Sequence, residues 1–185
     1  MTALTVGHKA RADTSAWMFA GAGALGVRPA KPCPEPKCDP ASFSATSAAT
    51  FDMGIGTTPD APVIIGGLLR VQPLFGNWTD FAILARAATH GFQAGAFGLA
   101  VDAGVFARFW GEKSAGFMGE LTVGAPLGIQ LSIEAMVGTK STLGFGAVAG
   151  IDLLRLTLYR QTMLDHWQNP SPAWKRLGKL IPLSF

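Results

Sequence analysis

The chain has 185 residues, 49% of them hydrophobic and only 15% charged, where an ordinary soluble domain carries about 25% Asp, Glu, Lys and Arg. A mean hydropathy of +0.30 excludes a disordered chain, and no run of about 18 apolar residues is free of charge, which argues against a spanning helix. The net charge of +3 is spread along the chain rather than gathered on the stripe or helix that a nucleic-acid surface needs.

Residues 1–14 read as an N-terminal arm or the remnant of a signal segment. Ala10-Arg11-Ala12 has the small-x-small form that precedes a signal-peptidase cut, with Ala3, Leu4 and Val6 in front of it. The apolar, glycine-rich stretch 15–27 predicts a first strand. A long Pro-, Ser- and Ala-rich loop then runs over 28–47 and carries Cys33 and Cys38. Three prolines hold that segment extended or turned, and no further ligands stand at zinc-site spacing. The pair is therefore read as a loop disulfide of an oxidising compartment.

Further strands are predicted over 48–57, 62–75, 79–89, 91–110, 115–128 and 129–139, with a last pair inside 142–161. The connectors between them are short and turn-like. The barrel unit spans 15–163, and Asn169-Pro170-Ser171-Pro172 interrupts the tail, 164–185. That tail offers Trp174, Leu177, Leu180 and Ile181 beside Lys175, Arg176 and Lys179, a short basic amphipathic stretch suited to a membrane surface or a partner.

Residues 117–138 decide the fold class. Phe117, Gly119, Leu121 and Val123 alternate with Met118, Glu120, Thr122 and Gly124. Ile129, Leu131, Ile133, Ala135 and Val137 then alternate with Gln130, Ser132, Glu134 and Met136. A period of two held over two segments is the pattern of strands with unlike faces. The polar faces are too thinly charged to cover a sheet in water, but small residues with a few ions suit the cramped lumen of a narrow barrel. The parity changes near Gly150–Asp152, where a tight turn is expected to split 142–161 into two strands. The reading is all-β: an antiparallel up-and-down transmembrane barrel of eight strands, with ten as the alternative and a short C-terminal tail. Eight spanning strands of about 9–11 residues fit the length.

Five charges are assigned to the lumen: Asp102, Arg108, Glu120, Glu134 and Arg155. Glu120 and Glu134 should face one another across a turn near Pro126–Gly128, which calls for Arg108 or Arg155 nearby because lone buried charges are costly. Trp17, Trp78, Trp110, Tyr159 and Trp167 fall near strand ends and are assigned to a membrane-interface girdle. His8, His90 and His166 stand in no triad spacing, and GAGALG (21–26) departs from a dinucleotide fingerprint. No catalytic constellation, metal set or cofactor is therefore expected, and the chain is not read as an enzyme.

On this architecture, the chain resembles bacterial outer-membrane β-barrel proteins over residues 15–161. Phe185, with Leu183 and Ile181 at alternate positions before it, looks like the carboxy-terminal signal read by the barrel-assembly machinery. Leu180 stands where that family has glycine and Pro182 interrupts the strand, which leaves 153–161 as the other candidate for the closing strand. The resemblance implies the bacterial outer membrane and its lipid as surroundings. The expected function is a structural or assembly component of an envelope complex, contacting other envelope proteins through loop 28–47 or tail 164–185. The alternatives are a narrow transport pore with a charged lumen and a soluble, lipocalin-like binder of apolar ligands.

Overall fold

The computed structural model describes residues 14–28, 43–75, 78–111, 113–139 and 142–157. Eight strands form a closed antiparallel up-and-down barrel. They are β1 (Ser15–Arg28), β2 (Ser44–Gly56), β3 (Val63–Leu74), β4 (Trp78–Thr89), β5 (Gly98–Phe109), β6 (Ala115–Gly124), β7 (Ile129–Gly138) and β8 (Leu143–Asp152). Each pairs with the next, and β8 closes on β1 from Phe19↔Asp152 to Arg28↔Leu143. Closure leaves the sheet without an edge strand. Two short helices, α1 (His90–Ala94) and α2 (Leu153–Thr157), stand at the end where β1 begins.

The alternation read from 117–138 sets the two faces of the wall. Phe117, Leu121, Val123, Leu131, Ile133 and Val137 point outward and are exposed, whereas Met118, Glu120, Thr122, Ser132, Glu134 and Met136 point inward and are buried. A narrow barrel curves strongly, so some inward positions have no room for a side chain. A Cβ added at Gly104 would run into the Ile83 carbonyl of the neighbouring strand, while one added at the outward Gly119 meets only the Asp102 carbonyl, at 3.8 Å. On the outer wall one row of direct cross-strand neighbours is small on five successive strands: Gly67, Ala85, Ala103, Gly119 and Ala135. Leu69, Ile83, Val105, Phe117 and Val137 form the row beside it. With strands about 4.8 Å apart, the small residues trace a shallow furrow of ~20 Å.

Two predicted segments fold differently. Residues 91–110 are not one strand: α1 interrupts them and β5 begins at Gly98. Thr89 caps the helix, its hydroxyl accepting from Phe92 N at 3.4 Å, and Gly95 ends it at φ 80°. The described part of the predicted 142–161 pair, residues 142–157, holds one strand followed by a helix. β8 runs straight through Gly150 to Asp152, so the parity change marks a strand end instead of a turn. Asp152 Oδ1 accepts from Leu154 N at 3.0 Å and Arg155 N at 3.3 Å, turning the chain into α2. The closing strand is therefore β8, not 153–161. β2 begins at Ser44, shortening the predicted loop.

The β6–β7 hairpin turns on Leu127 and Gly128, with φ of 69° and 76°, and Ala125 N donates to Ile129 O at 2.8 Å. Two positive φ values in a hairpin favour Asn-Gly, and a branched L residue in that region is strained by about 1–2 kcal/mol. Leu127→Asn is expected to stabilise the barrel by about 1 kcal/mol, raising the thermal unfolding midpoint by roughly 2–4 °C. An unchanged or lowered midpoint would contradict the strain.

Candidate functional site in the barrel lumen

Strand register alone brings ionic partners together. Asp52 faces Arg70 across β2–β3, and across β4–β5 Asp80 faces Arg108 and Arg86 faces Asp102. Asp102 then faces Glu120, and Glu120 faces Glu134, on β6 and β7. All eight residues are buried. Three of the contacts are two-pronged forks. Arg70 Nε and Nη2 donate to Asp52 at 2.7 and 2.7 Å, Arg86 Nε and Nη2 to Asp102 at 2.7 and 2.6 Å, and Arg108 Nε and Nη2 to Asp80 at 2.7 and 2.7 Å. Parallel charge-assisted pairs of this kind are among the strongest hydrogen bonds proteins make.

Arg70 does more than close one fork. Its Nη1 donates to Glu120 Oε2 and, at 3.3 Å, to Glu134 Oε2. Gln72 Nε2 donates to both oxygens of Glu134, at 2.9 and 3.0 Å, and to Thr50 Oγ1 at 3.2 Å. Thr122 Oγ1 completes Glu120 by donating to Oε1 at 2.8 Å. β3 and β7 lie opposite one another in the eight-strand ring. The Arg70–Glu134 and Gln72–Glu134 bonds therefore cross the full diameter and close the lumen at its centre.

Aromatic rings flank the forks. Arg86 lies 5.5 Å from the Trp17 ring and 5.4 Å from Phe92, and Arg108 lies 4.6 Å from Trp78 and 5.9 Å from Phe106. At the helix-bearing rim Arg155 Nε reaches Asp152 Oδ2 at 3.4 Å, and its Nη2 donates to the Phe92 carbonyl. Burial draws the Arg155 guanidinium below its ordinary value, and the Asp152 carboxylate opposes the shift. Among the described residues, the four buried guanidinium groups of Arg70, Arg86, Arg108 and Arg155 face six buried carboxylates, those of Asp52, Asp80, Asp102, Glu120, Glu134 and Asp152. Arg70 is consequently shared by three acids.

Asp102, Arg108, Glu120 and Glu134 lie inside the wall, and Glu120 faces Glu134 directly. The cation shared by Glu120 and Glu134 is Arg70, however, because Arg108 is engaged by Asp80 and Arg155 sits on α2 at the rim. Trp17 and Trp78 are not girdle residues: the parity of their strands turns both inward, where they pack on Arg86 and Arg108. Trp110 is 69% exposed on the outside beside Phe81 and Phe109. Cys33, Cys38, Tyr159 and Trp167 lie outside the described residues, as do residues 1–13 of the arm and the tail, 164–185.

Asp52, Arg70, Gln72, Asp80, Arg86 and Asp152 escape the sequence reading. In β3 and β4 the inward face is itself largely apolar, with Ile64, Leu68, Leu74, Ala82, Leu84 and Ala88, which blurs the alternation. The available signal is parity: Arg70, Gln72, Asp80 and Arg86 all stand at even positions opposite Leu69, Val71, Phe81 and Ile83. Comparison with family models, with curated proteins and with solved structures finds no match for this chain.

Removing one member of a buried fork strands the other charge, at about 3–5 kcal/mol, whereas removing both is far cheaper. Arg86→Leu and Asp102→Leu are each expected to destabilise by that amount, and the double variant by much less than their sum. A double-mutant cycle in equilibrium unfolding measures the coupling; additive losses would contradict it.

Proposed function

We propose that this chain is a membrane-embedded barrel of the bacterial outer-membrane type, sealed along its axis, that serves as a structural or assembly component of an envelope protein complex. The observation that carries this reading is the inversion of polarity across the wall. A soluble antiparallel sheet buries its apolar face and solvates the other. Here Ile55, Ile65, Ile83, Phe97, Phe117, Ile133 and Phe145 stand 57–76% exposed, while four arginines and six acids among the described residues are buried. An apolar belt of that extent is costly in water and costs nothing against hydrocarbon. Strands of 10–14 residues are long enough to cross it.

The bonds across the diameter favour an anchor over a conduit, since a pore would require Arg70 and Gln72 to part from Glu134. The outer belt likewise disfavours a lipocalin-like binder, whose outer surface faces water. With the lumen filled, the surfaces left for partners are the loops and tail; the segments 28–47 and 164–185 are the proposed contacts with other envelope proteins.

Ile133→Arg on the mid-wall of β7 discriminates these surroundings. In a bilayer it is expected to lower stability by about 2–4 kcal/mol, but a surface substitution in water changes stability by only ~0.5 kcal/mol. Folding titrations in lipid vesicles read the difference. The wild-type barrel is also expected to pass no current in planar bilayers and to retain partners on crosslinking in intact envelopes. A steady single-channel conductance would replace the anchor by the pore, and a compact monomer in plain buffer would overturn both.

A further inference from the structure

The rim that carries α1 and α2 encloses a cavity of about 250 Å³, lined in part by Ser15, Asp60, His90, Gln93, Leu154 and Arg155. Three polar atoms of this lining are buried without a partner: Ser15 Oγ, Gln93 Oε1 and Arg155 Nη1. Ser15 is 1% and Arg155 5% exposed. The other two guanidinium nitrogens of Arg155 are engaged, Nε by Asp152 and Nη2 by the Phe92 carbonyl, which leaves Nη1 as a spare donor. An orphaned buried polar group is destabilising, and native proteins hold few of them. Three around one cavity indicate a site that is complete only when something polar fills it.

The lining specifies what that occupant carries. Arg155 Nη1 and the Ser15 hydroxyl are donors and call for an anionic oxygen group. Gln93 Oε1 only accepts and calls for an N–H or O–H. Asp60 adds a carboxylate, and His90, whose Nδ1 is taken by the Pro59 carbonyl at 2.9 Å, adds a free ring nitrogen. One guanidinium against Asp60 and Asp152 leaves no excess positive charge, so a simple anion meets repulsion and a simple cation meets Arg155. The volume lies below the ~300–1,000 Å³ of sites for drug-sized ligands. We propose that this cavity binds a small zwitterion, its anionic oxygens on Arg155 and Ser15 and its ammonium on Gln93. A free amino acid and the phosphoethanolamine of a lipid headgroup share that chemistry. The assignment does not depend on what surrounds the outer wall.

Calorimetric titration of the full chain in detergent tests it with four probes: L-alanine, glycerophosphoethanolamine, glycerophosphocholine and inorganic phosphate. Saturable one-to-one binding is expected for L-alanine or glycerophosphoethanolamine, and which of the two binds tells a soluble ligand from a headgroup. Glycerophosphocholine has no ammonium N–H, and phosphate has no cation, so both should bind at least tenfold more weakly. Ser15→Ala and Gln93→Leu remove unpaired atoms and are expected to keep or raise thermal stability while weakening binding at least tenfold. No saturable binding at millimolar concentration, equal binding of phosphate, or binding untouched in both variants would each overturn the proposal.

Discussion

The interior of this barrel is organised around one guanidinium. Arg70 is fully buried and joins Asp52, Glu120 and Glu134, which come from β2, β6 and β7. A lone charge of either sign in that interior would cost several kcal/mol, so removing Arg70 would strand three acids at once. Because β3 stands across the ring from β7, the contact also works as a strut between opposite walls. Hydrogen bonds between neighbouring strands define the circumference; Arg70 and Gln72 define the cross-section.

Other features follow from having to house that network in a narrow tube. The tight curvature of so small a tube leaves no room for a side chain at some inward positions, as at Gly104, where a Cβ would meet the backbone of the next strand. Trp17, Phe92, Trp78 and Phe106 lie against the flanking arginines, lowering access of water to the forks and lending the π faces that cations favour. The two tryptophans therefore contribute to the ionic core instead of to a rim. At the helix-bearing end Asp152 both terminates β8 and holds Arg155, so the same residue ends the wall and begins the structure that covers it.

Strand count, closure and the in–out assignment of β6 and β7 were legible because alternation there is uninterrupted and one face carries nearly all the polarity. The Glu120–Glu134 pairing follows from that parity and from the turn at Leu127–Gly128. What was not legible was pairing between strands distant in sequence. Arg70 and Glu134 are 64 residues apart, and nothing local marks them as partners. Arg108 and Arg155 are nearer in sequence to the acids, yet Arg108 is taken by Asp80, whose parity is hidden by apolar inward neighbours, and Arg155 by Asp152 at the end of β8. Trp17 and Trp78 differ from the expectation for a related reason: an aromatic near a strand end suggests an interface, but side-chain direction is decided by register alone.

The furrow on the outer wall has an electrostatic corollary. Ala85, Ala103, Gly119 and Ala135 are the chain neighbours of Arg86, Asp102, Glu120 and Glu134, so the thinnest part of the wall runs alongside an inner row of ions. Along that line little more than backbone and a methyl separates charge from the outside. The polarisability of the surrounding medium thus sets how strongly those ions feel one another, and the barrel's internal energetics are tuned through its skin.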